Sequence, residues 1–313
     1  MLDPHAQALL TLMIERGVPP THTLSPQDAR RFYVERRAVT QPPPRPLAEV
    51  RDLAATALPN GLADIPLRLY RPAGLTGPAP TLVYYHGGGW TIGDLDTHDS
   101  LCRDLAHAGH CVVVAVDYRM GPEHRFPAAV HDVLAATRWL QQQAGTLGLD
   151  AQRFAVGGDS AGGNLAAVVA LAWRDAGQAI PLKFQLLIYP ATDMRAGAPS
   201  HTHNGQGYLL TAETIAYFRG HYLDEADLAD WRASPLLHGN LAGLPPALVI
   251  TAGFDPLRDE GRQYADALSA AGSTAQYVCF ERQIHGFITM GRVIAEANTA
   301  VGLCGVALRT ALA

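Results

Sequence analysis

Ser160 stands in Gly158-Asp159-Ser160-Ala161-Gly162, a G-x-S-x-G pentapeptide. A serine hydroxyl becomes a useful nucleophile toward a carbonyl when a base takes its proton and donors receive the charge that develops on the carbonyl oxygen. The surroundings suit that chemistry. An apolar run at 154–156 enters the pentapeptide, and a run at 165–173 rich in Ala, Leu and Val leaves it. Strand, sharp turn and helix form the context in which this motif holds a serine at the apex. The glycines let helix and strand pass close together. The free N–H groups of the helix N-terminus favour developing negative charge. The pentapeptide alone also fits a glycine-rich turn with an idle serine, so the rest of the chain has to supply base, acid and oxyanion donors.

Donors come from the strand-like run 81–85, which ends in His86-Gly87-Gly88-Gly89-Trp90. The backbone N–H groups of Gly88 and Gly89 are candidates, joined by that of Ala161 just after the serine. Each such donor is typically worth ~10²–10³ in kcat. A phosphate cradle is the rival reading, but the chain has no G-x-x-x-x-G-K-[ST] and no helical pattern directly after the glycines.

The base has to come from thirteen histidines. His285 follows the apolar run 277–280 in Ile284-His285-Gly286-Phe287, at a strand end, where open α/β sheets present functional groups. His5, His22, His201, His203 and His238 fall in predicted loops or arms and are expected to be solvated; His86 is expected to shape its loop. For the acid, Asp255 directly follows the run 247–252. It has a competing reading as the N-cap of a helix starting at Pro256. Asp259 is the second candidate and Asp193 the third. The chain order Ser160, Asp255, His285 is one in which such triads occur.

Apolar runs at 81–85, 111–116, 153–157, 184–189, 247–252 and 275–280 alternate with helical patterns near 96–109, 128–143, 161–176, 257–271 and 291–312. That alternation implies a mostly parallel sheet with helices on both faces. Before it, 50–57 and 65–70 read as a hairpin turning at Pro59-Asn60-Gly61. Residues 1–40 are helical in pattern, with Ser25 as an N-cap and Pro26 in the first turn. Gln41-Pro42-Pro43-Pro44-Arg45-Pro46 is a stiff connector. The chain therefore divides into an N-terminal helical segment, 1–45, and a main domain, 46–313. An insertion at about 195–235 carries Tyr208, Leu209, Leu210, Tyr217, Phe218 and Tyr222. An excursion of this size often covers a site.

The length of 313 residues and 48% hydrophobic content allow a sizeable core. Net charge is −5, without a basic stripe, which argues against a nucleic-acid partner. Cys102, Cys111, Cys279 and Cys304 show no C-x-x-C spacing, so neither a zinc site nor a disulfide framework is expected, and Cys111 and Cys279 read as core residues. Asp3 and His5 stand where a secretory signal carries Lys or Arg, and no run of 18 apolar residues exists. A cytoplasmic protein without a membrane span is the expectation.

With these residues placed, the chain resembles the hormone-sensitive-lipase-like esterases, often called family IV, of the α/β-hydrolase fold. The resemblance rests on HGGGW at 86–90, DYRMGPEHRFPAA at 117–129, GDSAGGN at 158–164, DPLRDEG at 255–261, HGF at 285–287 and the cap-like segment GYLLTAETIAYFRGHYL at 207–223. It implies an eight-stranded sheet whose second strand is antiparallel, with a helical cap built from the N-terminal segment and the 195–235 insertion. It implies a carboxylesterase acting on small-molecule esters of short to medium acyl chain, without metal or organic cofactor. Position by position, it implies Ser160 as nucleophile, Asp255 as acid and His285 as base, with Gly88, Gly89 and Ala161 as the oxyanion hole. Trp90, Tyr189, Leu209 and Phe287 are expected around the substrate pocket, with plain core as the alternative for each of the three aromatics. Asp159 matches the GDSAG subgroup. Met120-Gly121 stands where relatives often carry Leu-Ala, a structural difference, and Glu123 is expected to support a neighbouring loop. A homodimer through the last strand is a further implication. Two other functions share this scaffold: a non-catalytic small-molecule receptor, whose plant examples have lost the histidine that stands here, and an amide or lactone hydrolase using the same triad.

Overall fold

The computed structural model describes residues 1–313, the side chain of Asn60 excepted. Among the described residues, eight strands make one sheet: β1 (Glu49–Ala55), β2 (Ile65–Arg71), β3 (Ala79–Tyr85), β4 (Val112–Val116), β5 (Leu149–Asp159), β6 (Phe184–Ile188), β7 (Ala247–Phe254) and β8 (Ala275–Ile284). Their order is β1-β2-β4-β3-β5-β6-β7-β8. β2 is antiparallel to both of its neighbours, and the remaining pairings are parallel. This is the α/β-hydrolase architecture expected from the sequence.

Successive residues of a strand point to opposite faces, so a strand buried on both sides reads as a continuous apolar run. In β3, Val83 and Tyr85 join one core, while Leu82 and Tyr84 join the other. In β4, Val112, Val114 and Val116 separate in the same way from Val113 and Ala115. The first core is closed by α4 (Ala128–Gln142), α5 (Ala161–Asp175) and α8 (Arg258–Ala270). The second is closed by α3 (Asp99–Gly109) and α9 (Ala295–Ala311). α5 sits very close to the sheet: a Cβ on Gly162 would lie 1.8 Å from the Tyr85 carbonyl oxygen, so only glycine allows that approach.

The N-terminal residues form α1 (Pro4–Glu15) and α2 (Pro26–Thr40). Ser25 caps α2, its Oγ accepting the Asp28 N–H at 3.1 Å. α1 buries Ala6, Leu9 and Leu10 in the second core. The insertion contains α6 (Pro199–His203) and α7 (Ala212–Tyr222).

Three boundaries differ from the sequence reading by four residues. β5 begins at Leu149, because Ala79 of β3 pairs with it before a register shift. β8 continues to Ile284, because its pairing with β7 shifts register between Ala252 and Phe254 and so follows the bend of that strand. α9 begins at Ala295, because a 3-10 turn at Phe287–Thr289 precedes it. Cys111 is fully buried, but Cys279 is only half-buried, on the edge strand β8. No helix among the described residues is long and apolar enough to cross a membrane.

Candidate active site

Ser160 closes the turn between β5 and α5 with φ 55° and ψ −116°. A non-glycine residue at positive φ carries strain that the flanking strand and helix must sustain. The geometry lifts Oγ to the carboxyl edge of the sheet. His285, the first residue past β8, brings Nε2 to 2.9 Å from Ser160 Oγ. Its Nδ1 lies 2.7 Å from Asp255 Oδ2, just past the end of β7. Three residues from three strand ends, separated by 95 and 30 positions in sequence, thus form one hydrogen-bonded line.

Asp255 is fully buried. Its other oxygen, Oδ1, accepts the Leu257 N–H at 2.8 Å in the turn before α8, but α8 begins at Arg258 with Leu257 at its N-cap, so the N-cap reading of Asp255 is corrected. Asn204, at the end of α6, donates Nδ2 to the carbonyls of Asp255 (3.1 Å) and Gly253 (3.2 Å). The rival acids lie elsewhere. Asp259 pairs with Arg258 at 2.8 Å and accepts the Ser200 N–H at 2.9 Å; Asp193 pairs with Arg195 at 2.7 Å.

Gly88 and Gly89 lie on the same cavity as Ser160, Ala161 and His285. None of the N–H groups of Gly88, Gly89 and Ala161 meets a protein acceptor among the described residues. At Gly89, with φ 58°, a Cβ would collide with the Phe218 ring at 2.2 Å, so the loop lies directly against α7. Asp159 holds this loop in place. It accepts Gly87 N–H at 3.0 Å and Tyr84 O–H at 2.7 Å, with His98 Nε2 at 3.3 Å. Burial pushes its carboxyl up, but His98 and Tyr84 outweigh that and hold it below the ordinary range. His86 shapes the loop as expected: it stacks on Tyr118 with ring centroids 4.4 Å apart, and Nδ1 donates to the Gly87 carbonyl at 2.8 Å. Burial lowers its pKa to about 4, so it stays neutral.

The site opens into a cavity of about 570 Å³. Its walls are mainly apolar, from α1 (Leu9, Leu10, Met13), α7 (Ile215, Phe218) and the loop before α7 (Leu209, Leu210). Trp90 and Leu209 line it. Tyr189 and Phe287 do not, and the pocket reading is corrected for both. Each is completely buried; Tyr189 packs behind the His285 ring at 4.6 Å, and Phe287 packs behind Tyr189 at 6.1 Å. They back the histidine as core residues.

Two histidines expected to be solvated are not. His201 Nε2 lies 2.5 Å from the buried Glu260 carboxylate, and His238 Nε2 lies 2.9 Å from Asp175. Sequence reasoning passed over Asn204 and Glu260, whose partners come from distant segments. Asp159 carried a signal, its place inside the pentapeptide, but not its contact with Gly87. Among the described residues no group of three or more His, Cys, Asp or Glu could hold a metal ion.

Comparison with known proteins follows the same lines. Residues 82–289 match the family described as alpha/beta hydrolase fold. The chain is similar to carboxylesterase NlhH of Mycobacterium tuberculosis, 44% identical over 274 residues covering 86% of each chain. It is also similar to ethyl acetate hydrolase of Pseudomonas putida, 40% identical over 307 residues covering 95% of each. Among solved structures, a thermostable esterase from Pseudomonas putida superposes with a TM-score of 0.93 at 37% identity, covering 100% of this chain and 98% of the other.

Proposed function

The chain belongs to the α/β-hydrolase family, in its hormone-sensitive-lipase-like branch, and from that premise we propose how it acts as a carboxylesterase. Ser160 attacks the ester carbonyl while His285 Nε2 takes its proton. Asp255 fixes the imidazole with Nδ1–H toward the carboxylate and stabilises the imidazolium that forms. The N–H groups of Gly88, Gly89 and Ala161 receive the oxyanion. His285 then returns the proton to the leaving alcohol, and water deacylates Ser160 with His285 again as base.

The observation that carries this reading is the unbroken line from Ser160 Oγ to His285 at 2.9 Å and on to Asp255 at 2.7 Å. The free N–H groups beside it support the oxyanion assignment. Residues 1–45 and about 195–235 act as the cap in this reading, since α1, α2 and α7 all contribute to the cavity wall. A cavity of about 570 Å³ suits short- to medium-chain esters. A homodimer through β8, an edge of the sheet, and a cytoplasmic setting complete the proposal.

The test is a ladder of p-nitrophenyl esters from acetate to palmitate, with wild type and Ser160→Ala side by side. Wild type is expected to cleave the short members fastest and to fall off beyond medium chains. Ser160→Ala is expected to lose about 10⁴–10⁶ in kcat. Activity of the variant within tenfold of wild type would remove Ser160 from its role.

A further inference from the structure

Charge on the cavity wall is unevenly matched. Three carboxylates line it, and each has a protein partner: Asp159 with His98, Asp193 with Arg195 and Glu260 with His201. Four arginines line it: Arg16, Arg36, Arg37 and Arg219. Among the described residues none of the four is ion-paired. Arg37 and Arg219 reach only backbone carbonyls, of Asp96 and Met194. The protein as a whole carries −5, yet four arginines without an ion pair among the described residues line its cavity.

Arg36 is the most informative of the four. It lies one turn of α2 after Tyr33, so both side chains share one face of the helix and meet the cavity together. Arg36 is half-buried. The Phe32 ring lies under its guanidinium at 4.9 Å and fixes its direction. Burial lowers its pKa, and no carboxylate opposes that effect. The Tyr33 hydroxyl has no hydrogen-bond partner among the described residues. Burial and the Asp159 charge keep it protonated, hence a donor. A partly desolvated guanidinium with no counter-charge is costly, and an anionic ligand removes that cost.

We propose that Tyr33 and Arg36 form an anion-recognising subsite, so that the preferred esters carry a negatively charged group, such as a carboxylate, away from the scissile bond. The proposal rests on the ester-hydrolase reading above and specifies its substrate class. Guanidinium and phenol hydroxyl give a planar pair of donors and a single donor, a set that fits carboxylate or phosphate oxygens. The apolar wall of α1 and α7 takes the hydrocarbon between the anion and the ester.

The test compares matched ester pairs. p-Nitrophenyl butyrate is set against p-nitrophenyl hemiglutarate, which places the carboxylate on the acyl part. Phenyl butyrate is set against 4-(butyryloxy)benzoate, which places it on the leaving group. In at least one pair wild type is expected to favour the anionic ester by tenfold or more in kcat/KM. Arg36→Gln is expected to reduce that ratio about tenfold to a hundredfold, as for a lost charge-assisted hydrogen bond. Tyr33→Phe is expected to reduce it less, and Arg36→Lys to retain part of it. The preference should weaken with added sodium chloride. Thermal melts of each variant separate a local effect from misfolding. Competition by glutarate or inorganic phosphate against p-nitrophenyl butyrate distinguishes the two anions, stronger inhibition by one assigning the subsite to that group. Equal or lower activity on the anionic member of both pairs overturns the proposal and leaves ester hydrolysis standing. A preference that Arg36→Gln leaves intact overturns it too. Failure to cleave all four esters removes the ester-hydrolase reading and this subsite with it.

Discussion

The carboxylate of Asp159 accepts the Gly87 N–H at 3.0 Å and so ties the residue before the serine to the residue before the two glycines proposed as oxyanion donors. Ser160 and the two glycines stand just past the ends of the neighbouring strands β5 and β3, whose pairing reaches Tyr85 and Gly158, and the Asp159 bond extends that connection into the loops. Asp159→Ala removes this bond and is expected to lower kcat about tenfold to a hundredfold with a smaller change in KM, somewhat less than the loss of a donor itself. Asp159→Asn keeps one oxygen for Gly87 and is expected to recover part of that loss. Steady-state kinetics on p-nitrophenyl butyrate decide it; kcat within threefold of wild type for the alanine variant would sink the positioning role.

Asp255 and Asp259 stand four residues apart and do different work. Only Asp255 reaches His285, at 2.7 Å, while Asp259 binds Arg258 and the backbone of Ser200. Asp255→Asn is expected to cost about 10³–10⁴ in kcat, because an amide allows the wrong imidazole tautomer. Asp259→Asn is expected to stay within about tenfold and to show its effect in the melting temperature, through a looser α6. The reverse ranking would transfer the role of the acid to Asp259.

Much of the frame was legible because its causes are local. The two-sided valine runs of β4 reveal a buried strand, and Ser25-Pro26 reveals the start of α2. That Ser160, Asp255 and His285 come together was legible from their strand ends and from the motifs around them. What the sequence concealed depends on contacts between distant segments. Tyr189 and Phe287 read equally as pocket or as core; their position behind His285 follows from how β6 and β8 pack. His201 sits in a loop-like stretch and reads as solvated, yet the buried Glu260 lies 59 residues further along the chain. Nothing in the spacing of Tyr33 and Arg36 marked them apart from an ordinary amphipathic helix.

Asp117 gives a signed pH dependence. Burial raises its pKa from 3.8 to about 6, Asp94 adds to this, and Arg68 opposes it. The folded-state value lies above the unfolded one, so folding favours the protonated form. The stability it contributes is present in full below about pH 4 and is lost as pH rises through about 6. At pH 8 the ionised group opposes folding. Asp117→Asn is therefore expected to melt about 1–3 °C higher than wild type at pH 8, with the difference closing by pH 4; the side chain is one-third exposed, which keeps the effect modest. A variant that is less stable at pH 8 would contradict the direction.

Arg30 is one of several contacts, with Arg37 and the Ala38 and Thr40 carbonyls, through which α2 engages the rest of the chain. Its Nε donates to the Thr91 carbonyl and its Nη2 to the Gly121 carbonyl, each at 2.8 Å, and its two terminal nitrogens grip Glu123 at 2.9 and 2.6 Å. Thr91 belongs to the turn that begins at Gly88, where the Thr91 N–H donates to the Gly88 carbonyl at 3.1 Å. One side chain therefore connects the proposed cap to the proposed oxyanion loop. Arg30→Ala is expected to raise KM about tenfold, because the wall formed by α2 loosens, and to speed protease cleavage between 17 and 25 or between 41 and 46. Glu123 is half-exposed and held at about 2 by Arg30; Glu123→Gln removes only the exposed ion pair and is expected to change KM less than threefold. Because the carbonyl bonds survive in the glutamine variant, the contrast between the two substitutions is the measurement. Equal effects would place the strength of the clamp in the ion pair, and an unchanged KM with unchanged proteolysis in Arg30→Ala would show that the other contacts of α2, those of Arg37, Ala38 and Thr40 among them, hold it without Arg30.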